Sequence, residues 1–157
     1  MKAWSVALRI VAGVGAWEVF WWARRRDLRA TLYRAAAVRA SELNKPLVVL
    51  GAPDGGVTAG YGCGDLTVDL FPSGVCPVPI VADVTKALPF ADDSVVVFVA
   101  CVLEYVSDFD AALKELRRVA GNNLYVVRVE PWTLTAYLYP GARRTIPAEL
   151  ALLGQSE

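Results

Sequence analysis

The spacing of apolar and polar positions changes character along this chain. Residues 4–22 (WSVALRIVAGVGAWEVFWW) are almost continuously apolar, with Arg9 and Glu18 as their only charges. That length crosses the hydrocarbon core of a bilayer. Trp4 at one end and Trp17, Trp21 and Trp22 toward the other stand where interfacial aromatic anchors stand, and Arg24, Arg25 and Arg26 follow at once. The pattern predicts a transmembrane helix over residues 1–23. A helix lying on a membrane surface or on a partner is the alternative. Residues 24–45 then read as a second, basic helix. Leu28, Leu32, Ala35, Ala36 and Leu43 form its apolar stripe, and Arg25, Arg29, Arg34 and Arg39 fall on a face open to solvent or to anionic headgroups. Asn44-Lys45-Pro46 ends it.

Beyond Pro46 the period shortens. Five short apolar runs predict strands at residues 47–50, 66–70, 78–81, 95–102 and 124–129. The run VVVFVACV at 95–102 has no polar alternation, as expected of a central strand buried on both faces. Between the last two runs, Phe109, Ala112, Leu113, Leu116 and Val119 keep helical spacing over residues 108–120. Ser107 and Asp110 supply a capping box at one end, and Gly121-Asn122 the stop at the other. Strand, helix and strand of these lengths make a right-handed crossover, so the sheet is at least partly parallel and the fold class is α/β. Residues 46–131 form this domain and 132–157 a tail, rich in apolar and aromatic residues, with a short helix expected near 147–153.

The charges are unevenly placed although they cancel over the 157 residues. Residues 1–45 hold nine basic and three acidic residues, whereas 46–110 hold one basic and nine acidic. A basic arm on an acidic domain suits an anionic surface. The acidic domain, and the lack of aromatics interleaved with the arginines, argue against nucleic acid. The chain has no histidine, which excludes imidazole catalysis and imidazole metal ligation. Its three cysteines, Cys63, Cys76 and Cys101, are odd in number and have no CxxC spacing, so neither a disulfide framework nor a zinc site is expected. Cys101, inside an apolar run, reads as a small core residue.

Residues 82–120 carry the most specific signal. Asp83 precedes Leu88-Pro89-Phe90 and Asp92-Asp93; Leu103-Glu104-Tyr105-Val106 follows the fourth strand, and the helix ends Glu115-Leu116-Arg117-Arg118-Val119. In order and spacing this resembles the class I S-adenosylmethionine-dependent methyltransferases, with a Rossmann-like, mostly parallel five-stranded sheet. The resemblance implies S-adenosylmethionine as cofactor. It makes residues 51–56 the loop passing the methionine moiety, with Gly51, Asp54 and Gly55 in it. Asp69 would take the ribose hydroxyls, and Asp83 would lie beside the adenine amino group. It assigns no catalytic residue: Glu104 and Tyr105 are open to acid–base, positioning or packing roles, and methyl transfer needs mainly proximity and alignment.

Three departures bear on activity. The first loop is GAPDGG, with Gly51 where the family carries an acid and Pro53 where it carries a glycine. Residues 57–65 (VTAGYGCGD) are too glycine-rich for the helix that usually follows. The chain is also short beyond the fifth strand. The expectation drawn from these features is a membrane-anchored, catalytically degenerate methyltransferase-like domain serving as an accessory subunit of a membrane assembly. It would need no cofactor, its partners would be lipid or other subunits, and the domain would lie on the cytoplasmic or matrix side. The alternative is an active methyltransferase with a small or lipid-like substrate.

Overall fold

A computed structural model describes residues 2–53, 59–71, 74–76 and 79–128, with side chains from residue 12 onward. The helix expected near 147–153 and the rest of the tail lie outside the described residues. Five strands, β1 (Leu47–Leu50), β2 (Leu66–Asp69), β3 (Pro79–Val81), β4 (Val96–Ala100) and β5 (Leu124–Val127), form one sheet in the order β3-β2-β1-β4-β5. Every pair is parallel; β1 joins β2 through Val48 opposite Leu66 and joins β4 through Val48 opposite Val97. All four residues of β1 and all five of β4 are buried, because both strands are sandwiched between helical or loop layers.

Helix α2 (Phe109–Ala120) covers one face. Ala112, Leu116, Val119 and Ala120 pack on Val48, Leu50, Val97, Val99, Leu124 and Val126. Its N-cap is Asp108, whose carboxylate accepts the Ala111 N–H at 3.0 Å, so the cap falls one residue after the expected Ser107. Gly121 closes the other end at φ +56°, its amide donating to the Arg117 carbonyl.

The opposite face corrects the reading of the N-terminal region. One continuous helix, α1 (Lys2–Leu43), spans both segments expected to be separate, with no break near residue 23. No helix among the described residues is long and apolar enough to cross a membrane. The C-terminal half of α1 belongs to the core: Leu32, Ala36 and Ala40 are buried against Leu47, Val49, Val96, Phe98 and Val127. The expected stripe is displaced, since Leu28 and Ala35 are exposed while Ala40 is buried. Alanines at helical spacing conceal a core face because they carry so little hydrophobic contrast.

The β1–β2 connection crosses this same face. Among its described residues there is no helix, as the glycines predict. Tyr61 packs on Phe98 and on Tyr33 of α1, with ring centroids 5.2 and 6.4 Å apart. Gly60, at φ +82°, lies so close that a Cβ there would stand 2.8 Å from the Arg26 carbonyl oxygen. Cys63, in this connection, is disulfide-bonded to Cys76 in the β2–β3 loop, against the expectation of no disulfide. Their Cα atoms are 5.6 Å apart because β2 and β3 are parallel neighbours, so the chain before β3 returns beside the chain before β2. The odd cysteine count hid this pair. Cys101, the third, is half-buried and not a core residue; it stands at φ +57° where the chain turns off β4.

Candidate functional site

The sheet order fixes where a ligand can enter. From β1 the chain moves outward to β2 and β3, then returns to the other side of β1 to form β4 and β5, so the topology switches between β1 and β4. Open parallel sheets bind ligands in the crevice beyond the carboxyl ends of such strands. A cleft of about 310 Å³ lies there, lined by Gly51 after β1, Asp69 and Leu70 at the end of β2, Ala82 and Asp83 after β3, and Val102 and Tyr105 after β4. Leu50, Val68, Val84 and Val106 supply the rest of an apolar wall. A larger hollow of about 590 Å³ opens at the other end of the strands, beside Asn44, Lys45 and Asp65. That hollow lies far from the switch point and from both candidate aspartates, so the smaller cleft is the candidate site.

Three of the five residues singled out by the resemblance therefore meet in one cleft: Gly51, Asp69 and Asp83. Asp54 and Gly55 lie outside the described residues. Gly51 sits at φ +84°, and a Cβ there would come within 2.5 Å of Val102 Cγ2, so only glycine lets the chain leave β1 flush against the β4 turn. Asp69 Oδ2 accepts the Ala52 N–H at 2.8 Å and Oδ1 accepts the Phe71 N–H at 3.2 Å. Its carboxylate thus ties the loop after β1 to the end of β2. Each oxygen keeps one lone pair, enough for two neighbouring hydroxyls.

Asp83 closes a local turn. Its Oδ1 takes both the Thr85 hydroxyl at 2.7 Å and the Thr85 N–H at 2.9 Å. These bonds, the hydroxyl first, hold the carboxyl below the ordinary carboxylate range and engage only its Oδ1. Asp83 is thus a turn residue that also lines the cleft. Thr85 went unnoticed in the sequence, although an Asp two residues before a Thr is a recognisable side-chain turn. Tyr105 lines the cleft and is half-exposed, whereas Glu104 is 3% exposed and takes no part in its wall.

The segment carrying Asp83 is anchored by the residues that gave the resemblance its specificity. Arg118 Nε and Nη2 bind Glu115 at 2.9 and 2.6 Å, while Nη1 reaches the Phe90 carbonyl at 3.0 Å and Asp92 at 2.6 Å. Glu115 Oε1 also accepts the Leu88 N–H at 2.7 Å. The Arg118 hydrogen bonds pull the Glu115 carboxyl below its ordinary value, and the carboxylates push the guanidinium up. Leu88-Pro89-Phe90 and Asp92 are thus clamped to α2. The motif is a fastening, not a catalytic group.

No cluster among the described residues has the His, Cys, Asp and Glu side chains to hold a metal ion. Residues 66–126 match a family described as methyltransferase domain, a span running from the start of β2 into β5 that contains Asp69, Asp83 and the whole clamp. Neither curated proteins nor solved structures gave a match to the chain. The matched span supplies four of the five strands, and the fully parallel sheet has the Rossmann-like order, so over residues 66–126 the chain is similar to the methyltransferase domain family.

Proposed function

We propose that the cleft binds S-adenosylmethionine and that the protein transfers its methyl group to a small or amphiphilic acceptor. The carrying observation is the meeting of Gly51, Asp69 and Asp83 at one crevice with apolar walls. Its chemistry suits a nucleoside: a flat apolar slot for the base, a carboxylate with two spare lone pairs for the vicinal hydroxyls, and a second, ionised carboxylate for the exocyclic amine. Its volume is at the low end of those that enclose small ligands. Asp69 would hold the ribose, Asp83 and the wall from Val84 to Val106 the adenine, and the chain beyond Gly51 the methionine part. The bound cofactor supplies an electrophilic methyl on a sulfonium. The chain's own part is to exclude water along the apolar wall and to hold the acceptor in line near Tyr105.

One observation favours the accessory reading as a second. Both oxygens of Asp69 already hold the backbone, so this carboxylate has a structural use without any ligand. Under that reading the domain is an inherited scaffold within a membrane assembly. Calorimetric titration of the full chain with S-adenosylhomocysteine separates the two. Micromolar binding that weakens about tenfold or more in Asp69→Asn, through the lost acceptor for a ligand hydroxyl, supports the cofactor reading. A folded sample that takes up no heat rejects it.

A further inference from the structure

The direction of α1 relates two features that the sequence leaves unconnected. Its C-terminus passes through Asn44-Lys45-Pro46 directly into β1, so the helix runs antiparallel to the strands. Arg39 Nε meets Asn123 Oδ1 at 3.2 Å just below β5, and the Tyr33 ring meets Phe98 in mid-β4 at 5.4 Å. Following α1 toward its N-terminus therefore means climbing toward the carboxyl ends of the strands. Trp22 is eleven residues beyond Tyr33, roughly 16 Å at the helical rise, whereas Ala100 is two residues beyond Phe98, roughly 7 Å. The free half of α1 projects from the end of the domain that holds the cleft.

From residue 12 to residue 22 that projecting half carries one charge, Glu18, among apolar residues. Val14, Trp17, Val19, Phe20 and Trp22 are each 46–65% exposed, and no single helix face contains them. From Lys2 to Trp22 the helix extends roughly 31 Å. Arg24 is exposed at its base, with Arg26 and Arg29 half-exposed in the next turns, a placement suited to anionic headgroups. At the same end of the sheet, Leu70 and Phe71 stand 55% and 72% exposed beside the cleft. Large apolar side chains exposed around the whole helix call for an apolar surround, and the basic collar tells which kind.

We propose that the cleft end of the domain seats on an anionic lipid bilayer, held by Trp17, Phe20 and Trp22 of α1, with Leu70 and Phe71 at the cleft mouth facing the lipid. Because α1 is unbroken between its free half and its core half, the domain is held to the bilayer by a rigid stem and cannot turn its cleft away. Where the methyl-transfer reading holds, on which this one corollary rests, the acceptor is an amphiphile presented at the headgroup level.

Flotation of the full chain with phosphatidylcholine vesicles, with and without phosphatidylglycerol, tests the docking. The chain is expected to float with the anionic vesicles and to stay bound in high salt. Trp17→Glu with Phe20→Glu, both on the projecting half and outside the core, should lower the bound fraction about tenfold or more, and Phe71→Glu a few-fold. Failure to float, complete release by salt, or self-association in buffer that leaves the chain at the bottom of the gradient overturns it; the last outcome assigns the apolar half of α1 to a second copy. Orientation is read by energy transfer to acceptor-labelled vesicles from a dye at Phe71→Cys or at Ser41→Cys, in a Cys101→Ala background. Greater transfer from position 71 is expected, and equal or greater transfer from position 41 overturns the seating. Neither assay contains the cofactor, so a chain that floats but binds no S-adenosylhomocysteine rejects methyl transfer alone.

Discussion

The two faces of the sheet are covered by different means. On one, α2 is a compact amphipathic helix between its own strands, capped at both ends and packed through Leu116 and Val119. On the other, α1 comes from outside the crossover units and docks through Ala36 and Ala40, with a glycine-bearing connection pressed beside it. The α2 face is held by large side chains that fill space. The α1 face combines small residues that let backbones approach with Leu32 and the Tyr33, Tyr61 and Phe98 rings. Covering a parallel sheet thus needs apolar area on each face, not a crossover helix on each.

The largest test of this contrast is a pair of volume changes. Leu116→Ala should lower stability by about 3 kcal/mol in urea denaturation, because it leaves a cavity under α2. Ala36→Leu should cost about 2 kcal/mol for the opposite reason, overpacking. If Ala36→Leu is neutral, the α1 face is looser than described. The clamp comes next: Arg118→Met should cost about 2 kcal/mol through lost bonds to Glu115 and the Leu88 and Phe90 carbonyls, measured by the same unfolding curves. Gly60→Ala should cost about 1–2 kcal/mol, since it combines a positive φ with a contact to the Arg26 backbone.

Acid sharpens the comparison further. Glu115 has its carboxyl held below the ordinary 4.5, so its contribution is complete above that pH and is lost as pH falls through the lower folded value. The parent protein should therefore lose stability below about pH 4.5 more steeply than Arg118→Met does, as read from thermal midpoints across that range. The smallest effect is expected at the Lys45–Asp93 pair, 2.9 Å apart with Asp93 largely exposed: Lys45→Ala should change stability by less than about 0.5 kcal/mol.

Much of the α2 side was legible in the sequence. The uninterrupted apolar run at 95–102, mostly valine, could be little else than a buried strand, and Leu113, Leu116 and Val119 mark a helix by spacing alone. The α1 side was not. Ala36 and Ala40 give no contrast between core and surface, and the arginines around them drew attention to solvent and headgroups. The pairing of Cys63 with Cys76 depends on where β2 turns the chain, which no spacing rule encodes. At the site, the resemblance led to Asp69 and Asp83, but their partners were hidden. Ala52 offers only a backbone amide, and amides carry no sequence signature. The motif around Glu115 and Arg118 was visible as a pattern, while its use as a fastening required the distances.

The continuity of α1 and the position of β1 bear on where this protein can be divided. The family match begins at residue 66, which as a fragment boundary would remove β1, a strand paired on both sides. A cut at residue 46 keeps the sheet but bares Val49, Val96, Phe98 and Val127 to water. The smallest piece that keeps both faces covered must begin within α1, before Leu32. Homology boundaries and folding boundaries part company here, and a fragment trimmed to the former would be expected to aggregate.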